Sequence, residues 1–479
     1  MIFSSPIFLF LFLPLVVVGS LLVGRRLQNA FLLFASLVFY AWGEVTWAWV
    51  IVLSIGLNYG LGLWLGATDR KKAVVALAIS VNLGLLAAFK YANFIVENLN
   101  GVTRLFGVTP LRLGHVHLPI GISFFTFHAL SYLIDVYRGQ VRPQRKPVDF
   151  ALYITMFPQL IAGPIIRYHD IAAQLGTHRI NGPEFAGGIR RFVLGLGKKV
   201  LIANTVAVQA DLIFAIPHKD LTAPVAWLGI VLYTLQIYFD FSAYSDMALG
   251  LGHMFGLRFL ENFNYPYIAE SITEFWRRWH ISLSNWYRDY LYIPLGGNRG
   301  GRLRTYFNLV MVFFLCGLWH GASWSFVAWG LFHGAFLVME RMGLGALVGK
   351  LPRPLRHAYL LAVVMVGWVF FRADTLHYAV QYLGAMVGLG HGSGVEFHAG
   401  LYLRPDVMLA VVAGAIGSGP VVPWLASCRA DLRTSSSPGA APCYLAWEIG
   451  AVATTALVFV ASAALLVGGT YNPFIYFRF

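Results

Sequence analysis

Two histidines stand where their neighbours leave an imidazole little ordinary purpose. The first, His320, lies in FFLCGLWHGASW, residues 313–324, an apolar run in which Gly317 and Gly321 flank it. Such a histidine is costly unless a partner pairs with it or a reaction uses it. Deep burial favours neutral imidazole, the form that takes a proton from a hydroxyl as a general base. The glycines leave room for another backbone or a substrate to come close. The same residue also has a plain reading as a hydrogen-bonded packing group. His128 in FFTFHAL and His333 in LFHGAF share that plain reading, and the chain holds fourteen histidines in all.

The second, His280, lies in ESITEFWRRWHISLSNWYRDYLYIPLGGNRGGRLR, residues 270–304. Ser271 and Glu274 have capping-box spacing, so a helix is expected to start there, and Pro294 with the glycines after it to end it. Phe275, Trp279, Leu283, Trp286 and Tyr290 recur at helical steps, while Arg277, His280, Ser284 and Arg288 fall on the opposite side. This pattern predicts one amphipathic helix in the membrane interface. Read as an anchor, its aromatics sit at headgroup level. An anchor needs no imidazole, and on this reading the arginines around His280 keep it neutral. The glycines of GGNRGGRLR expose backbone N–H groups beside Arg299 and Arg302. With Arg277 and Arg278 they form a candidate phosphate site, or else an ordinary basic loop. No Walker or Rossmann spacing supports nucleotide hydrolysis.

The elements that must position these residues follow from composition. The 479 residues are 58% hydrophobic and 12% charged, with mean hydropathy +0.67. Soluble domains carry about 25% charge, so this is an integral membrane protein, all-α and polytopic, resting in a lipid bilayer. Its net charge of +14 gathers in short loops, as the positive-inside rule predicts, rather than marking a nucleic-acid surface. Arg25-Arg26, DRKK at 69–72 and RGQVRPQRK at 138–146 fall on one side, read as cytoplasmic. The N-terminal apolar run lacks a basic leader and reads as a retained span with its N-terminus outside. Cys316, Cys428 and Cys443 show no metal or disulfide spacing.

About eleven spans are expected in one domain, 1–479, with 257–304 a cytoplasmic or interfacial basic segment. The stretch 97–117 reads as external, and spans are placed near 73–90, 200–216, 224–256, 406–426 and 446–468, among others. ALYITMFPQLIAGPIIRYHD, 151–170, is apolar but broken by Pro158, Gly163 and Pro164, which predicts bent or re-entrant backbone. SCRADLRTSSSPGAAPC, 427–443, reads as a loop. Asp240 and Asp246 inside YFDFSAYSDMALG imply a polar interior.

FWRRWHISLSNWYRDYLYIPLGGNRGG followed by GLWHGASWSFVAWGLFHG resembles the membrane-bound O-acyltransferase superfamily, and more narrowly its bacterial branch that acetylates alginate. The likeness extends to MIFSSPIFLFLFLPL, PIGISFFTFHALSYLIDVYRG, MFPQLIAGPIIRYHDI and the terminal NPFIYFRF. The resemblance implies a curved helical body with a thin centre crossed by a tunnel. It implies that His320 is the catalytic histidine inside the membrane and His280 the second functional one. It implies a thioester donor and transfer to a periplasmic or membrane-anchored acetyltransferase of the SGNH type that modifies the polysaccharide. Acetyl-CoA is then the expected donor, a substrate rather than a resident cofactor, with its phosphates near Arg277, Arg278, Arg299 or Arg302. The acidic partners of the histidines are left open, with Asp240 and Asp246 as candidates. Competing readings are a peptidoglycan or D-alanine transferase of the same superfamily, a transporter or flippase, and a scaffold for polysaccharide export.

Overall fold

The computed structural model describes residues 1–435, 439–469 and 471–473, so residues 474–479 of the terminal NPFIYFRF motif lie outside the described residues. The described residues form helices and connecting segments without strands. Among the described residues, eight helices are long and apolar enough to cross a membrane: Ala48–Ala67, Lys71–Arg104, Gly182–Phe214, Ala223–Met254, Gly301–His320, Trp324–Val348, Arg353–Arg372 and Ala440–Val467. Pro405–Gly417 and Val421–Thr434, bent by 61°, make a ninth if they cross together. Two shorter apolar helices, Phe8–Leu22 and Ile122–Tyr137, stand outside that count, and eleven spans would need both as well.

Several boundaries differ from the expectation for local reasons. The span placed near 200–216 begins at Gly182, where the Asn181 side chain accepts from the Glu184 N–H. Four basic residues between 190 and 199 hid that first half from a hydropathy reading. The span placed near 73–90 runs on to Arg104, so part of the stretch read as external is helical. The segment 427–443 is not a loop throughout: helix continues to Thr434 and resumes at Ala440.

The broken segment 151–170 behaves as its prolines predict. Pro147–Thr155 and Phe157–Leu160 are separated at Met156, and residues 161–165 run on as buried irregular backbone. Such backbone survives inside an apolar body only where protein groups satisfy it. Here the Tyr153 hydroxyl donates to Ile166 O at 2.9 Å, and Ile165 N donates to Ser282 Oγ at 3.0 Å.

Gly182–Phe214 and Ala223–Met254 form the centre of the bundle. A Cβ on Gly188 would lie 2.6 Å from Gly250 O, so the two backbones meet through small residues. Ion pairs bridge the same helices: Lys199–Asp240 at 2.6 Å is buried, and Lys198–Asp246 at 2.7 Å and Arg191–Asp246 at 2.9 Å are partly exposed. The two carboxylates read as candidate partners of the histidines are thus engaged with bases of the neighbouring helix.

The ends of the bundle are distinct. Opposite the basic loops, Glu44 meets His117 Nε2 at 2.8 Å and accepts from Ile120 N at 3.0 Å, tying the 44–47 turn to the segment before Ile122. At the basic end, Arg138 donates to Asp289 O at 2.9 Å, and Arg167 pairs with both Asp170 and Asp289.

Candidate active site

His320 closes the Gly301–His320 helix, and the chain leaves it through Gly321 in extended conformation. From Arg304 the helix rises about 24 Å to reach it, at 1.5 Å per residue. Of the two uses expected of the flanking glycines, close approach of another part of the protein is the one seen. A Cβ on Gly317 would lie 2.3 Å from Phe326 O, and one on Gly321 would lie 2.2 Å from the Phe326 ring. The imidazole meets Trp319, Trp329 and Phe371 edge-on, with ring centroids 5.0–5.1 Å apart. It is 7% exposed and lines a cavity of about 160 Å³ with Lys90, Gly121, Ser123, Ile161 and Trp319. The 118–124 part of that wall belongs to the end away from the basic loops.

His280 corrects the sequence reading most. The expected continuous helix is two short ones, Ile272–Arg278 and Ile281–Tyr287, because His280 adopts left-handed backbone, φ 44° and ψ 54°. A non-glycine residue there is strained and persists only where its surroundings over-determine it. Asn262 supplies that constraint. Its Oδ1 accepts from Ser282 N at 3.2 Å and Ser282 Oγ at 2.9 Å, and its carbonyl accepts from Ile281 N at 2.9 Å. The same Oδ1 lies 3.1 Å from His280 Nδ1, so Nδ1 carries the proton and Nε2 keeps the lone pair. The capping box holds: Ser271 Oγ accepts from Glu274 N at 3.1 Å.

The ring of His280 is 1% exposed, edge-on to Phe241 at 4.6 Å and 6.3 Å from Trp319. It is therefore not on a polar face among arginines. Burial alone pushes its imidazole down to about 3, which keeps it neutral. The aromatic stripe also faces protein rather than headgroups. Phe275, Trp279, Leu283, Trp286 and Tyr290 are all buried, and Trp286 stacks on Phe127 with centroids 3.8 Å apart. Periodicity could not separate the two cases, because an anchor and a core helix carry the same apolar stripe.

A second cavity, about 670 Å³, lies beside the residues that hold His280. Asn262 and Ile281 line it, with Ser242, Arg190, Arg191, Lys198 and Asp246. The two cavities are joined by a short chain of contacts: Asn262 to His280, His280 to Trp319, Trp319 to His320. The two imidazoles are close enough to interact electrostatically.

The arginines read as phosphate contacts are not gathered here. Arg277, Arg299 and Arg302 are exposed, Arg278 pairs with Glu274 at 2.8 Å, and none of the four lines either cavity. The basic residues that do line the larger cavity come from the first half of Gly182–Phe214. Their sequence signal is RR followed by KK, just ahead of the span placed near 200–216. His128 and His333 are fully buried, and their ring nitrogens find no hydrogen-bond partner among the described residues, so packing rather than hydrogen bonding holds them.

Residues 120–372 match the description of the MBOAT, membrane-bound O-acyltransferase, family. Over the full length of both chains the protein is 44% identical to the probable alginate O-acetylase AlgI of Azotobacter vinelandii, and equally so to that of Pseudomonas putida. It is 37% identical to the peptidoglycan O-acetyltransferase of Helicobacter pylori, over 81% of this chain and 80% of that protein.

Proposed function

This chain belongs to the membrane-bound O-acyltransferase family, and from that premise we propose that it carries acetyl from cytoplasmic acetyl-CoA to an outer acceptor for O-acetylation of an alginate-like exopolysaccharide. The observation that carries the reading is the chain of contacts through His280 and His320 that links two separate cavities, one lined by Arg190, Arg191 and Lys198 with Asp246 and Glu261, the other beside the 118–124 segment. The protein sits in the bacterial inner membrane with its N-terminus outside, following the side of its basic loops.

CoA stays in the cytoplasm and presents its phosphates to the basic mouth, where Arg190, Arg191 and Lys198 stand nearer than Arg277, Arg278, Arg299 or Arg302. The thin pantetheine arm brings the thioester toward Trp319. An acceptor hydroxyl, on a periplasmic or membrane-anchored SGNH-type acetyltransferase, enters beside Ser123 and His320. His320 takes the hydroxyl proton as the oxygen attacks the thioester carbonyl. The new C–O bond forms, the C–S bond breaks, and the proton passes from His320 to the departing thiolate. General-base assistance of this kind contributes about 10²–10⁴-fold. His280, with its proton held on Nδ1 by Asn262, offers Nε2 as an acceptor; that suits an N–H of the pantetheine arm better than the thioester carbonyl. The polysaccharide then receives the acetyl group from the partner.

The test is CoA release from labelled acetyl-CoA by the purified full chain with its acceptor partner. His320→Ala should abolish release while eluting and melting as the parent does. Retained release removes His320 from the reaction. A peptidoglycan acceptor is the second reading, favoured by the similarity to the Helicobacter pylori enzyme; acetyl content of the cell wall against that of the exopolysaccharide in a deletion strain separates the two. Transporter and scaffold readings leave the family membership without explanation.

A further inference from the structure

An α-helix leaves its last four carbonyls without intrahelical partners. At the end of Gly301–His320 these are Gly317 O, Leu318 O, Trp319 O and His320 O. The first accepts from Gly321 N at 3.2 Å. The other three face one place, more than two hundred residues away in sequence. Tyr91 Oη donates to Leu318 O at 2.8 Å, and Lys90 Nζ donates to Trp319 O at 2.5 Å and reaches His320 O at 3.5 Å. Lys90 also donates to Ser123 Oγ at 3.2 Å, across the wall of the His320 cavity.

A lysine inside the apolar span Lys71–Arg104 is costly and needs a reason. The reason is not spare charge in the cavity, because its nitrogen is already directed at three protein acceptors. Residues Ala87–Tyr91 form a π-helical turn within that span, a feature that often marks functional sites. It carries the adjacent Lys90 and Tyr91 that meet the carbonyls of the other helix.

We propose that Lys90, seconded by Tyr91, is a positioning residue for acyl transfer: it pins the last turn of the Gly301–His320 helix and so sets where the His320 imidazole stands in its cavity. This rests on reading His320 as the transfer base. Lys90 touches no reacting atom. Release of the pinned turn lets the imidazole drift, and a misplacement of about 1 Å at a catalytic group costs about 10²-fold in rate.

Two measurements on the full-length protein in nanodiscs test it. The first is acetyl-CoA turnover with the acceptor partner. Lys90→Met should lower kcat about 10²-fold with KM for acetyl-CoA within about twofold, Tyr91→Phe should lower it less, and Lys90→Arg, which keeps the donors, should recover most of the rate. The second is the rate at which diethyl pyrocarbonate modifies His320, read by mass spectrometry, which needs no activity. The loosened turn in Lys90→Met should be modified several-fold faster than the parent, and Lys90→Arg should not. Modification of His320 at the parental rate in both Lys90→Met and Tyr91→Phe overturns the proposal. So does a kcat loss that Lys90→Arg shares in full. If the parent itself transfers no acetyl, the donor reading fails while the modification rates still decide the role of Lys90.

Discussion

Gly317→Ala offers a direct test of how His320 is placed. The added Cβ would lie 2.3 Å from Phe326 O and 3.2 Å from its carbonyl carbon, both backbone atoms of the adjoining helix. An ordinary C···O contact is about 3.3–3.6 Å, so the two helices must part by about 1 Å. Overpacking of this kind costs about 1–3 kcal/mol. His320 lies three residues further along the same helix and moves with it, so a loss of about 10²-fold in kcat is expected. Gly60→Ala is the matched control: it lies inside Ala48–Ala67, is exposed, and has nothing within 4 Å of the added Cβ. There the substitution should be neutral or stabilise by about 0.5–1 kcal/mol, since glycine is the poorer helix residue. Thermal unfolding followed by tryptophan fluorescence, with acetyl turnover on the same samples, compares the two. If Gly317→Ala melts with the parent and turns over within twofold of it, close helix packing is not what places His320.

Other consequences follow from the same geometry. Lys199→Met leaves Asp240 without the base that pairs with it at 2.6 Å, with both side chains 3% exposed, and should destabilise by about 3–5 kcal/mol; adding Asp240→Leu should restore much of this in denaturant melts. Asn262→Leu removes the acceptor shared by Ser282 and His280, so its kcat loss should overlap that of His280→Gln rather than add to it. His280 also carries a pH signature. Burial holds its pKa near 3, against 6.5 when unfolded, so the unfolded chain takes up a proton that the folded one refuses. Its contribution to stability is full above pH 6.5 and is lost as pH falls toward 3. The melting temperature should drop through that window, and His280→Gln should flatten the slope; an unchanged slope places the acid sensitivity elsewhere.

Much of this protein was legible in its residues because membrane physics is local. Apolar length, basic loops, the Ser271–Glu274 cap and the prolines of 151–170 each act over a turn or two of chain, and the helical body, its broken segment and the isolation of His320 followed from them. What local pattern could not carry is partnership across the fold. The 3.6-residue stripe through Trp279 runs unbroken over a point where the helix in fact breaks, because Asn262, eighteen residues earlier, holds His280 in left-handed geometry. Lys199 reads as loop charge until Asp240 stands opposite it, and Lys90 reads as a span end until the carbonyls of Leu318 to His320 arrive beside it. Residue type and spacing set which groups had to be satisfied; only the packed helices, bringing together residues as distant in sequence as Lys90 and His320, decided by what.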